Sequence, residues 1–265
     1  MCYAETNGGT GDSWTDTGLR LTVSKIVVYY GPESTSFARR QWHSPNVMPA
    51  INRLPRVANA VVTYVGELAT NKYISFVDAA LNSNNPCVDA PTAAATADTQ
   101  HSGAITASGK EATVPQASGN LLDVTKTFAI CYAETSGSDS DSSWRDSYVR
   151  VKVSKIETFS AHLVAHKTYG SLAKTSALEI TYAGSLAASM WVSMVDATSN
   201  SNFPCALGTN AAQSAGAAAS PPTSPSSGVD QANFNSTVVF DTTVMDTSLT
   251  YAVCYAETGG AATDS

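Results

Sequence analysis

Few residues in this chain have the types and spacing that chemistry requires. His162 and His166 in "HLVAH" stand four apart, the separation that lets two imidazoles on one helix face hold zinc. Such a site needs Glu after the first histidine as general base, and Leu163 stands there, so both histidines read as surface or strand residues. "SGSDSDSSWRD" (Ser136–Asp146) gathers Asp139, Asp141 and Asp146 as a calcium loop would, without the mid-loop glycine and distant glutamate of a helix-loop-helix site. Its earlier counterpart keeps only Asp12 and Asp16, and the stretch reads as a solvated polar turn. Glu5, Glu134 and Glu257 recur in identical surroundings, which points to a repeated structural hydrogen bond or salt link. No Ser-His-Asp elbow or phosphate-binding loop emerges. The chain is therefore not expected to be an enzyme, and no cofactor or metal is expected.

The five cysteines occupy repeated positions, Cys87 with Cys205, and Cys2 with Cys131 and Cys254. The natural pairs within a repeat are Cys87–Cys131 and Cys205–Cys254, with Cys2 left over. Oxidised, each bridge would stabilise its repeat by about 3–4 kcal/mol in the loop-entropy model. Five buried or inert thiols in a reducing compartment is the alternative, and it stays open.

The elements that position these residues are duplicated. "CYAET" stands at Cys2–Thr6, Cys131–Thr135 and Cys254–Thr258. "SWTDTGLRLTVSKI" (Ser13–Ile26) returns as "SWRDSYVRVKVSKI" (Ser143–Ile156). "VTYVGELATNKYISFVDAALNSNNPC" (Val62–Cys87) returns without a gap as "ITYAGSLAASMWVSMVDATSNSNFPC" (Ile180–Cys205). The apolar period inside each copy is two, with Val149, Val151 and Val153 alternating with Arg150, Lys152 and Ser154, as a half-buried strand requires. "VTYVGELATNKYISFVD" reads as a hairpin around a glycine-containing turn. The Ala/Ser/Thr/Pro-rich stretches Ala90–Gly109 and Ser214–Gly228 read as long surface loops within the copies.

The expected fold is all-β, two homologous immunoglobulin-like sandwiches of pseudo-twofold symmetry. By homology the units are residues 1–130, with an insertion at about 35–57, and 131–265. The structural phase is expected to be offset, with 27–156 as one sandwich and 157–265 plus 1–26 as the other. The second unit lacks the Trp-Asp-Arg strand, and residues 2–26 carry a spare copy of it. That strand is expected to complete the second unit, either of its own chain or of a neighbour, as in donor-strand complementation.

With the aliphatic set turned inward, Trp14, Arg20, Trp144 and Arg150 are expected on the outer face, and Trp and Arg are enriched at protein–protein hot spots. The insertion adds a basic, aromatic stretch with Arg39, Arg40, Trp42, Arg53 and Arg56. Trp14, Arg20, Trp144, Arg150, Arg39, Arg40 and Trp42 are the candidate assembly interface. A net charge of −7 argues against nucleic-acid binding, and no apolar run approaches the ~20 residues that cross a bilayer. The chain opens in what reads as mid-strand, so targeting information is expected upstream of it.

The doubled "CYAET…SW.D…R…VSKI…VD…NPC" pattern resembles the pyrenoid shell proteins of diatoms and related marine algae, across nearly the whole chain. The resemblance implies a non-enzymatic protein of the chloroplast stroma. It would assemble with itself into a sheet around the Rubisco matrix of the pyrenoid and support CO2 concentration and carbon fixation. The alternative is a secreted, extracellular immunoglobulin-like adhesin or glycan-binding protein, consistent with paired cysteines and the sequon Asn235-Ser236-Thr237.

Overall fold

The computed structural model describes residues 1–31, 36–37, 52–116, 121–167, 169–214, 216 and 226–264. Strands dominate, as the two-residue period requires. In chain order they are β1 (Cys2–Tyr3), β2 (Thr15–Asp16), β3 (Ile26–Tyr30), β4 (Ser36–Phe37), β5 (Asn52–Leu54), β6 (Ala60–Gly66), β7 (Tyr73–Asp78), β8 (Ile105–Thr106) and β9 (Glu111–Val114). They continue as β10 (Phe128–Ala133), β11 (Arg145–Val153), β12 (Ile156–Ala161), β13 (Val164–His166), β14 (Leu178–Gly184), β15 (Trp191–Asp196), β16 (Ser226–Gln231), β17 (Thr237–Phe240) and β18 (Tyr251–Ala256).

The first repeat builds two sheets, ordered β4-β3-β6-β9 and β5-β11-β10-β7-β8. Their inner faces share one core, with Tyr29, Val62 and Tyr64 from the first sheet against Phe76, Phe128, Ile130 and Val151 from the second. The second repeat builds β13-β12-β14-β17 and β16-β15-β18. Its core joins Phe159, Ile180, Tyr182 and Val238 to Val192 and Met194. The strand orders correspond, except that among the described residues the second unit shows no counterpart of β11 or β5.

The segment read as a hairpin is not one. β6 and β7 lie in different sheets, and so do β14 and β15. The crossing point is Gly66, with φ 139° and Gly184, with φ 138° as its copy. A Cβ on Gly66 would come within 2.3 Å of the Lys25 carbonyl oxygen, so only glycine permits this approach. The same carbonyl accepts the N–H groups of Glu67 and Leu68, and Lys155 repeats this with Ser185 and Leu186. Leu68 then turns into the core, 1% exposed. A turn that buries its leucine between the sheets cannot close a hairpin within one of them.

The Ala-rich stretch after Cys87 is likewise more than a surface loop. It forms short helical turns at Pro86–Val88 and Ala90–Ala93, and Asp89 caps the latter through the Thr92 N–H. These turns fold over the outer face of β7 and β10, which buries Ala93 completely. Most of the second such stretch lies outside the described residues. His162 and Leu163 form a two-residue hairpin turn between β12 and β13, at φ 48° and 65°, and His166 lies on β13.

Candidate assembly interface

Strand β10 is buried on both faces, and this fixes where the predicted interface residues stand. Phe128, Ile130 and Tyr132 point into the main core, while Ala129, Cys131 and Ala133 point outward. Over the outward set lie the Cys87–Cys131 disulfide, Val77, Ala93 and the indole of Trp144. Trp144 is 1% exposed and donates its Nε1–H to the Ser138 carbonyl at 3.0 Å. The expectation of an outward-facing Trp144 free to meet a partner is therefore corrected. The ring does lie on the outer face of the sheet, but the helical turns and the disulfide enclose it there.

Arg150 lies on that outer face, half-buried, and grips Asp146 through two bonds of 2.9 and 2.6 Å. Arg20 repeats the grip on Asp16, also at 2.9 and 2.6 Å, but both side chains are exposed. Trp14 is 53% exposed. Arg39, Arg40 and Trp42 lie outside the described residues. Of the same stretch, Leu54 enters the core on β5, parallel to β11, and Arg56 pairs with Glu157 at 3.2 Å, tying the first unit to the second.

The acidic turn is a brace. Asp141 accepts the N–H groups of Ser136 and Gly137 at 2.7 Å each and of Ser143 at 2.8 Å, plus the Ser143 hydroxyl at 2.6 Å. Burial works to raise its pKa, but the Ser143 hydroxyl and these amides outweigh it and hold the carboxyl far below the usual range. Asp264 does the same for Gly259 at 2.7 Å, and Asp12 for Gly9 at 2.9 Å. Among the described residues no cluster of three His, Cys, Asp or Glu side chains could hold a metal ion.

The repeated glutamates also find partners. Glu134 binds the Lys25 ammonium at 2.5 Å, and Glu257 binds that of Lys155 at 2.5 Å. Beside them the Tyr132 and Tyr255 hydroxyls accept the Lys25 and Lys155 N–H groups at 3.1 and 3.2 Å. Each "SKI" is thus clasped by the "CYAET" strand of the unit that it opens. β11 lies on the first unit, and Lys155, two residues beyond it, is already anchored in the second.

The second unit repeats the cysteine bridge, Cys205–Cys254, and leaves Cys2 free and exposed. What it lacks is the cover. β18 pairs with β15 on one side and, among the described residues, with nothing on the other. Similar sequences, "FAICYA" and "YAVCYA", are wholly buried in β10 and largely half-exposed in β18. Ile130 is fully buried and its counterpart Val253 is 38% exposed. Cys87 is fully buried and Cys205 is exposed.

The spare strand is on the chain but elsewhere. Residues 1–20 form a small hairpin of their own, in which Cys2 faces Asp16 and Tyr3 faces Thr15. This is the register of β10 on β11, where Cys131 faces Asp146 and Tyr132 faces Arg145. Leu19, Leu21 and Val23, which match the buried Val149, Val151 and Val153, are 55, 75 and 90% exposed. Sequence reasoning missed the enclosed Trp144 pocket. The signal for it was the Ala-rich stretch after each Pro-Cys, whose small side chains leave room for an indole.

No protein-family model, no curated protein and no solved structure matches this chain.

Proposed function

We propose that the protein is structural and assembles with copies of itself. The observation that supports this best is the edge of β18, which has no partner among the described residues, together with the exposed aliphatic side chains of Leu19, Leu21 and Val23. Open edges beside exposed aliphatic side chains favour association. On this reading each unit is an immunoglobulin-like sandwich. Supporting that, the Tyr251 hydroxyl at the start of β18 accepts the Asp246 N–H at 2.9 Å, five residues upstream, as the tyrosine corner of such domains does. The disulfide departs from that pattern, since it ties β18 to the turn after β15 rather than sheet to sheet. With the resemblance to pyrenoid shell proteins, the assembly becomes a sheet around the Rubisco matrix in the chloroplast stroma.

The test is electron microscopy of the purified chain across a concentration and salt series. Sheets or tubes of regular repeat are expected, and uniform monomers at every condition would overturn the proposal. The two disulfides favour a second reading, a secreted adhesin or glycan-binding protein, because such bridges persist in oxidising compartments. Its sequon residue Asn235 is exposed, on the turn between β16 and β17.

A further inference from the structure

Charge is divided unevenly along the chain. Residues 157–265 carry eight Asp and Glu against two Lys and no Arg, a net of −6, while residues 1–156 carry fourteen against thirteen, a net of −1. The cations of the first part include two that the fold sets face to face. On β5 and β11, which run parallel, Arg53 stands directly opposite Lys152. Asn52 and Leu54 on either side of Arg53, and Val151 and Val153 on either side of Lys152, are buried, so both cations take the outer face. Like charges directly opposed on a sheet repel. Arg150, Arg56 and Lys155 nearby hold Asp146, Glu157 and Glu257, whereas Lys152 makes no ion pair among the described residues. Burial first, then Arg53 and Lys155, lower the pKa of the half-buried Lys152.

The second unit offers the complement. Glu179 on β14 stands opposite Val239 of β17, and Asp241 follows Val239 by two residues. Leu178, Ile180, Val238 and Phe240 are buried, so Glu179 and Asp241 fall on the outer face, where both are exposed. Neither forms an ion pair among the described residues. The repeat indicates that the scaffold needs none of these four charges. Thr22 matches Lys152, Val61 matches Glu179 and Pro115 matches Asp241, while Arg53 lies in the insertion of the first copy.

We propose that the Lys152–Arg53 face of one chain docks on the Glu179–Asp241 face of a second copy. The contact rests on the self-assembly reading above and gives it a surface. Within one chain no ion pair joins the two faces among the described residues. Directly opposed residues on neighbouring strands lie about 5 Å apart and diagonal ones about 7–8 Å, so each cation can meet one carboxylate. Docking gives Lys152 an anion that offsets its burial and its cationic neighbours. The occupant is a second copy because its second unit is the strongly acidic body that this basic face fits. Acidic faces repel each other and so do basic ones, which steers two copies into the head-to-tail orientation. The two faces differ, so the contact is heterologous and repeats from chain to chain.

The test uses two charge-reversed chains, Arg53→Glu with Lys152→Glu, and Glu179→Lys with Asp241→Lys. Light scattering and electron microscopy follow assembly at low salt, and urea midpoints report whether each chain is folded. Each variant alone should need at least about ten-fold more protein to assemble than the wild type. An equimolar mixture should assemble again, because every reversed face then meets an opposite charge on the other chain. Wild-type assembly should weaken as NaCl rises to about 1 M, where the screening length is about 3 Å, and indifference to salt would refute the contact. If either reversed chain assembles as the wild type does, the face it alters is not in the contact. If both fail and the mixture also fails, the two faces do not meet each other. Those results overturn the proposal and leave self-assembly standing, whereas a wild type that stays monomeric at every condition removes both. Should the reversed chains not fold, Lys152→Thr, with the residue of the matching repeat position, should weaken assembly about three-fold, and no change would refute the role of Lys152.

Discussion

Trp144→Ala should destabilise the first unit severely, while Trp14→Ala should leave the fold of the dilute monomer nearly unchanged. The two tryptophans hold the same repeat position, so the difference tests burial and nothing else. Trp144 is 1% exposed, packs on Cys87–Cys131, Val77, Ala93 and Ala129, and donates one hydrogen bond. Removing a buried tryptophan costs about 3–5 kcal/mol, through lost transfer energy and the cavity left behind. A domain of this size is stable by only about 5–15 kcal/mol, so the loss is a large fraction of the total. With a urea slope near 2 kcal/mol/M, the midpoint of the first unit should fall by about 2 M. Trp14, 53% exposed, should shift the monomer by less than about 0.5 kcal/mol. The assay is urea unfolding followed by far-UV circular dichroism, which survives the loss of the indole, at concentrations where assembly is absent. Two transitions are expected, one for each unit. If the two variants shift the first transition equally, or if Trp144→Ala shifts it by under about 0.5 M, the enclosed pocket is not what holds that face.

Other outcomes follow from the same contacts. In unassembled protein, mild reductant should open Cys205–Cys254 at least about ten-fold faster than Cys87–Cys131, since access governs exchange. Cys205 is exposed and Cys87 is not, and alkylation with peptide mapping reads the order directly. Opening the 44-residue Cys87–Cys131 separation should cost the first unit about 4 kcal/mol in the loop-entropy model, measured as a urea shift. Asp141→Asn should cost about 1.5–3 kcal/mol, the worth of charge-assisted bonds to a carboxylate. Because the folded state depresses the Asp141 pKa, its contribution is complete above the unfolded value near 3.9 and fades as pH falls through the lower folded value. The variant should therefore lose part of the acid dependence of the wild type below about pH 4, and an unchanged profile would deny the brace its role. Gly66→Ala should destabilise by more than about 1 kcal/mol, because its Cβ would meet the Lys25 carbonyl, and thermal unfolding will show it.

Much of the scaffold was legible in the chain. The two-residue period of Val149, Val151 and Val153 named a strand and its buried face, because alternation is a local property of extended backbone. The match between the two halves placed the cysteine pairs in equivalent positions. The hairpin reading of Val62–Asp78 went astray for a definable reason. Glycine between two strands fits a turn within a sheet and a crossing between sheets equally well. Burial of Leu68 and the close approach of the Lys25 carbonyl decide between them, and both are long-range.

The sequence alone determined that the chain repeats its segments, "CYAET" three times and the Trp-Asp-Arg and Pro-Cys stretches twice, with the two-residue period of strands. Those facts reside in repeated letters and local periodicity. Only the tertiary structure decided which faces are covered. Alternation divides a strand into two faces but does not say what lies over either of them. β10 and β18 have almost the same sequence, yet one is buried on both faces and the other is half open, because β11 lies on the first alone. The same holds for Trp14 and Trp144, identical in motif and opposite in exposure. Burial belongs to the partner as much as to the residue, and the partner is set by how the chain passes from one unit to the next.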